Sequence, residues 1–449
     1  MMRPIHCAAV LIGCLCLTVT GVASAQNQPW LADKGYGQGI GYEVGNFVLH
    51  PGIAGEFGYD SNMFNRAPNE NVAEVWRLRF TPSLSLTNET REKTPQKVRV
   101  QAGVSAAYNE YIPAGNTSDD VSDFRNVGVN TNADVTFNPE GRFGGRLFGD
   151  IIRTIQPSNL SDTSSAYNRI NLRGGGEFIW KPGGGMFDWR LGYEYGAVLF
   201  EEDQFDSLNN ATHKIFTRGR WKFLPRTALL FDANTAFVRY PHVDANSYLL
   251  GSNPLRARVG FNGLMTDRLA LLAMVGWGAS FHRTGSVPVE NFDSVIGQAQ
   301  LTFYPTLAPT DGSGQAEAAY TLSSVALGYV RDFENSYFGS FYGRDRGYLR
   351  ASAFIVQRVV IEGEGGLSRV GFPNLYFADG TQRSGAFHET RYDASFHTEY
   401  RVLPTVGINA TVTYDKNDSV SLLTAAGSTI EDDLSNDRLQ VFVGARWFM

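Results

Sequence analysis

Cysteine is almost absent from this chain: Cys7, Cys14 and Cys16 are the three it has, all within the first sixteen positions. Beyond them no disulfide framework, cysteine metal site or cysteine nucleophile can form. A thiol-free remainder also suits passage through an oxidising compartment, where stray thiols mispair. Long hydrophobic runs are missing too. A membrane helix needs about 20 consecutive apolar residues. After residue 25 none exists, and the stretch Leu269 to Ala279 is too short. Catalytic signatures are lacking: there is no GxxxxGK[ST] phosphate loop, no HExxH zinc helix and no GxSxG elbow. The glycine-rich run 35–41 follows no strand and reads as a linker. Beyond the first 25 residues the histidines are His50, His213, His242, His282, His388 and His397, scattered singly. The expectation is a protein that is not an enzyme and holds no cofactor or metal. Net charge is −6 and no basic face is interleaved with aromatics, so nucleic acid is not an expected partner.

What is present begins with a leader. Arg3 and His6 precede an apolar run from Cys7 to Val22, and Ala23-Ser24-Ala25 fits a small-x-small cleavage site. This is the pattern of a secretory signal peptide cut before Gln26. Leu11-Ile12-Gly13-Cys14 also fits a lipobox, but the apolar run continues past Cys14. The reading divides the chain into a signal peptide (1–25), a periplasmic segment (26–46) and one domain over 47–449.

That domain shows a two-residue period. Val98, Val100, Ala102, Val104, Ala106 and Tyr108 alternate with Arg99, Gln101, Gly103, Ser105 and Asn109. Val127, Val129, Thr131, Ala133, Val135 and Phe137 interleave with polar residues and glycine from Asn126 to Thr136. The pattern recurs from Phe187 to Ala197, from Leu269 to Phe281 and from Leu439 to Met449. Strict alternation is the strand signal. The segments often run to 12 residues or more, whereas strands of soluble proteins average about 5–6. Aromatics gather near their ends, as Phe187, Trp189 and Trp447 do, which is the placement of membrane-interface girdles.

The sequence therefore predicts an all-β fold: a single closed antiparallel transmembrane β-barrel of about 18 strands (16–18). Predicted spans include 47–59, 168–180, 254–263, 315–331 and 437–449. Short turns recur near Pro139, Pro182, Pro225, Thr266 and Pro404, between longer polar connections such as 60–73, 156–167 and 370–385. Short periplasmic turns opposite long outer loops are expected of outer-membrane barrels, so the predicted location is the cell outer membrane and the first partner its lipid. The connections 87–96 and 304–315 are longer than a short turn requires.

On the face opposite lipid, Lys214, Phe216, Arg218, Arg220 and Lys222 share one strand, with Arg256 and Arg258 on the same parity two strands on. These are the pore-lining candidates. A basic wall favours anions. Asp134, Asp150, Asp188, Glu194 and Asp232 face the same way and can neutralise it. Phe216 and Phe442 could stack on sugar rings or simply fill space.

The first hairpin carries a family likeness. His50-Pro51-Gly52, then Glu56-Phe57-Gly58-Tyr59-Asp60-Ser61-Asn62-Met63-Phe64, then Phe80-Thr81-Pro82-Ser83-Leu84 resembles the opening of the outer-membrane β-barrel porin 2 family, an exopolysaccharide-associated barrel. The shared element is a Tyr-Asp-x-Asn-x-Phe box, here Tyr59, Asp60, Asn62 and Phe64. Asp and Asn suit a strand exit through side-chain-to-backbone turns, and Tyr59 and Phe64 are placed at the outer interface. The resemblance implies a barrel for export or secretion of a polysaccharide, with the polymer and a periplasmic polysaccharide-export protein as partners. Alternatives are a general or anion-selective diffusion porin and, from another class, an outer-membrane barrel enzyme. The outer-membrane assembly machinery is a further expected partner; it reads a C-terminal aromatic, and here Phe448 is penultimate and Met449 last.

Overall fold

The computed structural model describes residues 41–69, 71–88, 96–115, 121–155, 168–242, 249–282, 288–305, 323–337, 339–355, 358–377, 380–419, 422–424 and 431–449. The leader, most of the 26–46 segment and residues 315–322 of one predicted strand lie outside this set.

Among the described residues, eighteen long strands form one sheet. The first six are β1 (Phe47–Asp60), β2 (Val75–Thr87), β3 (Val98–Pro113), β4 (Asn126–Phe137), β5 (Phe143–Ile155) and β6 (Asn168–Trp180). The next six are β7 (Phe187–Phe200), β8 (Asn210–Leu224), β9 (Thr227–Arg239), β10 (Leu255–Thr266), β11 (Leu269–Ala279) and β12 (Asp293–Phe303). The last six are β13 (Ser324–Asn335), β14 (Phe341–Ile355), β15 (Val359–Phe372), β16 (Phe387–Leu403), β17 (Val406–Ser419) and β18 (Asn436–Phe448). Each pairs antiparallel with its chain neighbours, and β18 pairs with β1 from Gly52↔Phe448 to Asp60↔Gln440. The sheet closes on itself into a barrel, which is how a sheet satisfies its backbone groups in lipid. A short strand, Tyr42–Val44, folds back on the start of β1.

The turns follow local chemistry. Asn138 turns β4 into β5 with φ 49°, and Gly183 and Gly184 sit at φ 66° and 67° between β6 and β7. Asparagine and glycine tolerate this left-handed region best.

Alternation sorts the side chains. Leu327, Val275, Val443, Ile408 and Leu349 are among many large apolar residues exposed on the outer face. Water would penalise such a belt; lipid would not. Exposed rings bound it at both ends. Trp76, Tyr108, Tyr195, Trp277, Tyr329 and Tyr392 ring the loop end, and Phe143, Trp221, Phe303, Tyr400 and Trp447 the turn end. The barrel is thus built to span a membrane. Polar groups fill its inside: at the closing seam Asp60 accepts from Arg438 at 2.5 and 2.9 Å and from Gln440 at 2.7 Å. Arg79 meets Glu56 at 2.5 Å, and Arg446 meets Glu399 at 2.6 and 2.9 Å. All these pairs are buried.

Candidate functional site: an asymmetric lumen

The inner face has two characters. On β16–β18 and β1–β2 the charged residues Glu56, Asp60, Arg77, Arg79, Glu399, Arg438 and Arg446 are all buried. Arg79–Glu56, Arg438–Asp60 and Arg446–Glu399 are ion pairs, and the Phe442 ring lies under Arg77 and Arg79 at 5.6 and 4.8 Å. By contrast, β8, β10 and β14 carry no buried residue along their whole length. Their inner faces meet water.

The wet wall is cationic. On β6–β10 the inward parity presents Arg169, Arg173, Arg190, Lys214, Arg218, Arg220, Lys222, Arg256 and Arg258, nine cations. Against them stand Glu177, Asp188, Glu194 and Asp232, four carboxylates. Pairing is extensive: Glu177 alone holds Arg146 and Arg190 at 3.2 Å and Arg218 at 2.7 Å. Lys214 reaches Glu194 at 3.6 Å, and Arg258 reaches Asp232 at 3.1 Å. Asp134 pairs with Arg146 and Asp150 with Arg173 on the neighbouring strands. Asp150 on Arg173 and Asp332 and Glu334 on Arg256 bring the carboxylates to seven against nine cations, so two positive charges remain in excess on this wall. In a space with low-dielectric walls such an excess focuses a positive potential.

The second feature is an inward-turned hairpin. β13 pairs with β12 only as far as Arg331↔Gly297, yet it stays paired with β14 out to Asn335↔Phe341. The tip therefore leaves β12 and leans over the lumen. Three contacts hold it there. Asp332 takes a 2.8 Å ion pair from Arg256 on β10, whose guanidinium also lies 4.2 Å over the Phe333 ring. Phe333 is fully buried, stacked on Phe292 at 4.3 Å. A Cβ at inward-facing Gly278 of β11 would sit 2.6 Å from that ring, so only glycine leaves room for it. Outside, Arg331 donates to the Val295 carbonyl at 3.0 Å and covers part of the edge that the departure leaves on β12.

Beyond the tip, Tyr337 joins a cluster with Phe200, Phe205, Leu208, Leu249 and Tyr240, drawn from the connections after β7 and β9. Burial pushes the Tyr240 and Tyr337 phenols above their ordinary value, so both stay neutral. A side-chain hydrogen bond joins Tyr337 to Asn210 at the head of β8.

The sequence-derived residues are distributed as follows. Lys214, Phe216, Arg218, Arg220 and Lys222 share the inner face of β8, and Arg256 and Arg258 that of β10. Arg256 departs from the pore-wall expectation, since it clamps the hairpin tip. Of the family box, Tyr59 lies at the outer rim against Trp76, ring centroids 5.3 Å apart. Asp60 belongs to the closing seam. It also accepts from the Asn62 amide at 3.3 Å, while Asn62 bonds Arg66 and Asp437 backbone carbonyls at 2.8 and 3.0 Å. Phe64 is not at the interface: it is buried under the first loop, edge-on to Phe124 at 5.0 Å. Sequence reasoning missed Asp332, Phe333 and Tyr337. The one available signal was the glycine pair Gly276 and Gly278 in an otherwise bulky strand.

No protein-family model matches the chain, and no curated protein matches it significantly. Solved structures with a similar fold include the outer membrane protein OpdK from Pseudomonas aeruginosa (11% identity, 89% of this chain and 99% of that one, TM-score 0.44). Others are a BenF-like porin from Pseudomonas fluorescens Pf-5 (9%, 90% and 100%, 0.45) and OccAB3 from Acinetobacter baumannii (13%, 90% and 100%, 0.42). At these identities and scores the assignment of a barrel rests on the strand pairing itself.

Proposed function

We propose that this chain is an outer-membrane diffusion channel for small anionic solutes. The observation that carries the reading is the set of six cations, Lys214, Arg218, Arg220, Lys222, Arg256 and Arg258, on β8 and β10, two strands with no buried residue, within a wall of nine cations against seven carboxylates. A barrel of 16–18 strands leaves an aqueous channel unless something fills it. Here one flank is filled by buried ion pairs, and the mouth is narrowed by the inward hairpin. The remaining path runs beside the cationic wall, which attracts anions and repels cations of like size. In this reading residues 1–25 direct export and are removed, 26–46 lie in the periplasm, and the apolar belt sits in outer-membrane lipid.

Polysaccharide export rests on the first-hairpin resemblance alone. The contacts across the mouth suit small solutes better than a continuous polymer, so diffusion is the preferred function. The test is permeation into proteoliposomes of purified protein. Acetate is expected to enter much faster than a methylammonium ion of similar size; equal or reversed rates would refute the reading.

A further inference from the structure

The ladder between β12 and β13 is the shortest in the wall. It holds seven register pairs, whereas every other neighbouring pair of long strands holds nine or more among the described residues. Asp293 to Ile296 of β12 therefore have no strand partner on that side. The tip of β13 overlaps the inner face of β11 and β12 there instead, and no ladder crosses the overlap. Side chains fill it. Ile296 and Phe333 are fully buried, Phe292 stacks on Phe333 at 4.3 Å, and Phe341 meets Phe292 edge-on at 5.5 Å. On the outside Arg331 bridges the seam, donating to the Val295 carbonyl and to Asp345 at 3.0 Å and to Ser294 Oγ at 3.3 Å. A second seam parts early, between β4 and β5, where Arg153 donates to the Val127 carbonyl at 2.5 Å. Behind it the filling is polar: Asn126 accepts from Asn109 at 3.1 Å and donates to the Tyr111 hydroxyl at 3.3 Å. The apolar filling of the β12–β13 seam also lies at a particular height. Val295 stands opposite Trp277 of the outer aromatic ring, so the seam faces the level where lipid headgroups meet their chains.

We infer that the β12–β13 seam is a side entrance, through which slender amphiphiles with a single alkyl chain pass between the outer leaflet and the lumen. A backbone ladder cannot part in lipid without orphaning donors and acceptors. Here parting needs side-chain motion alone: the Phe292–Phe333 stack turns aside and Arg331 swings back to Asp345. An alkyl chain then takes the place of the rings, so no apolar surface meets water as the seam opens. A narrow single chain fits that exchange. The head group must be small and polar, because beyond the rings it enters the polar lumen beside Arg256 and Asp332. Gly278 gives the rings their room: a Cβ there would sit 2.6 Å from Phe333 and 2.9 Å from Ile296. This route is separate from diffusion through the mouth and does not depend on the charge of the wall.

The experiment uses a thiol on the outer face. The native cysteines are Cys7, Cys14 and Cys16, so Val295→Cys is the sole thiol once residues 1–25 are removed. Val295 is 46% exposed on the lipid side of the seam, and a fluorescein maleimide attached there covers the entrance without reaching the lumen. Entry of decanesulfonate and of ethanesulfonate is measured into proteoliposomes of the labelled and the unlabelled variant, with protein-free vesicles as the blank. The two solutes share a head group and a charge, so the wall treats them alike. Labelling should cut decanesulfonate entry several-fold and leave ethanesulfonate entry unchanged. Phe292→Ala with Phe333→Ala, which empties the seam, should raise the ratio of decanesulfonate to ethanesulfonate entry several-fold, with heat-modifiable migration on gels intact. Decanesulfonate entry that labelling leaves unchanged, that falls in step with ethanesulfonate, or that never exceeds the blank overturns the inference. A double variant in which both solutes speed up equally has widened the mouth instead, which also counts against the side entrance. If ethanesulfonate fails to enter through unlabelled protein, the diffusion reading falls, while decanesulfonate entry that labelling blocks still supports the side entrance.

Discussion

Tyr337 meets Phe200 edge-on, ring centroids 6.3 Å apart, although five strands of wall, β8 to β12, separate the strands that carry them. Such a contact forms only where one hairpin tip leaves the wall and crosses the mouth. It joins the two halves of the rim and makes the aperture smaller than the strand count implies.

Removing this contact should widen the mouth. Tyr337→Ala deletes the ring that meets Phe200 and leaves the wall strands untouched. Single-channel conductance is expected to rise, together with the largest solute admitted in liposome swelling. Unchanged conductance would mean that the narrowest point lies deeper than the tip.

Selectivity should follow the β8 charges. Arg218→Gln with Arg220→Gln removes two of the nine positive charges on the wall. The anion-to-cation permeability ratio should fall by several-fold, most clearly at low ionic strength, because exposed charges are screened over about 10 Å at 0.1 M salt. Reversal potentials at two salt concentrations check both parts. If the ratio does not move, the surplus is not what the solute senses.

Closure depends on a buried ion pair. Asp60 is fully buried and holds Arg438 across the β18–β1 seam. Asp60→Ala leaves that guanidinium without its carboxylate, at a cost of about 3–5 kcal/mol. The midpoint of the heat-modifiable gel shift should drop substantially. Asp60→Leu combined with Arg438→Leu should recover most of the loss, because no unpaired charge remains. Equal damage from the single and double variants would contradict the argument.

Lipid contact can be tested on one residue. Leu327 on β13 is 62% exposed in the middle of the outer belt. Leu327→Arg is expected to destabilise the inserted barrel by about 2–4 kcal/mol, the range for Arg at the bilayer midplane. Refolding into lipid vesicles across a denaturant series measures it. A neutral effect would place this face away from lipid.

How far the sequence carries this account depends on what each residue reports. β6 matches its predicted span, 168–180, because Leu172, Phe178 and Trp180 mark an apolar outer face against Arg173 and Glu177 inside. The strand count was legible for the same reason, since each outer face must satisfy lipid on its own. β13 was placed at 315–331, whereas its described part runs from Ser324 to Asn335. Alternation tells which face a side chain takes, not where a hairpin bends away from the wall. That bend is set by distant partners: Arg256 for Asp332, and Gly278 for Phe333. Phe64 was misplaced for a related reason. An aromatic just past a strand end fits either an interface girdle or a loop core, and its neighbour Phe124, sixty residues on, decides. The cationic strip on β8 was visible as residues, but the dryness of the opposite flank was not. It arises from side chains of five strands meeting across the seam.

The most direct test of the whole account is the reversal potential of the wild-type protein in a planar bilayer under a potassium chloride gradient. The account predicts discrete openings and a potential of the sign set by chloride. A potential of the sign set by potassium, or a membrane that stays silent after verified insertion, would contradict it.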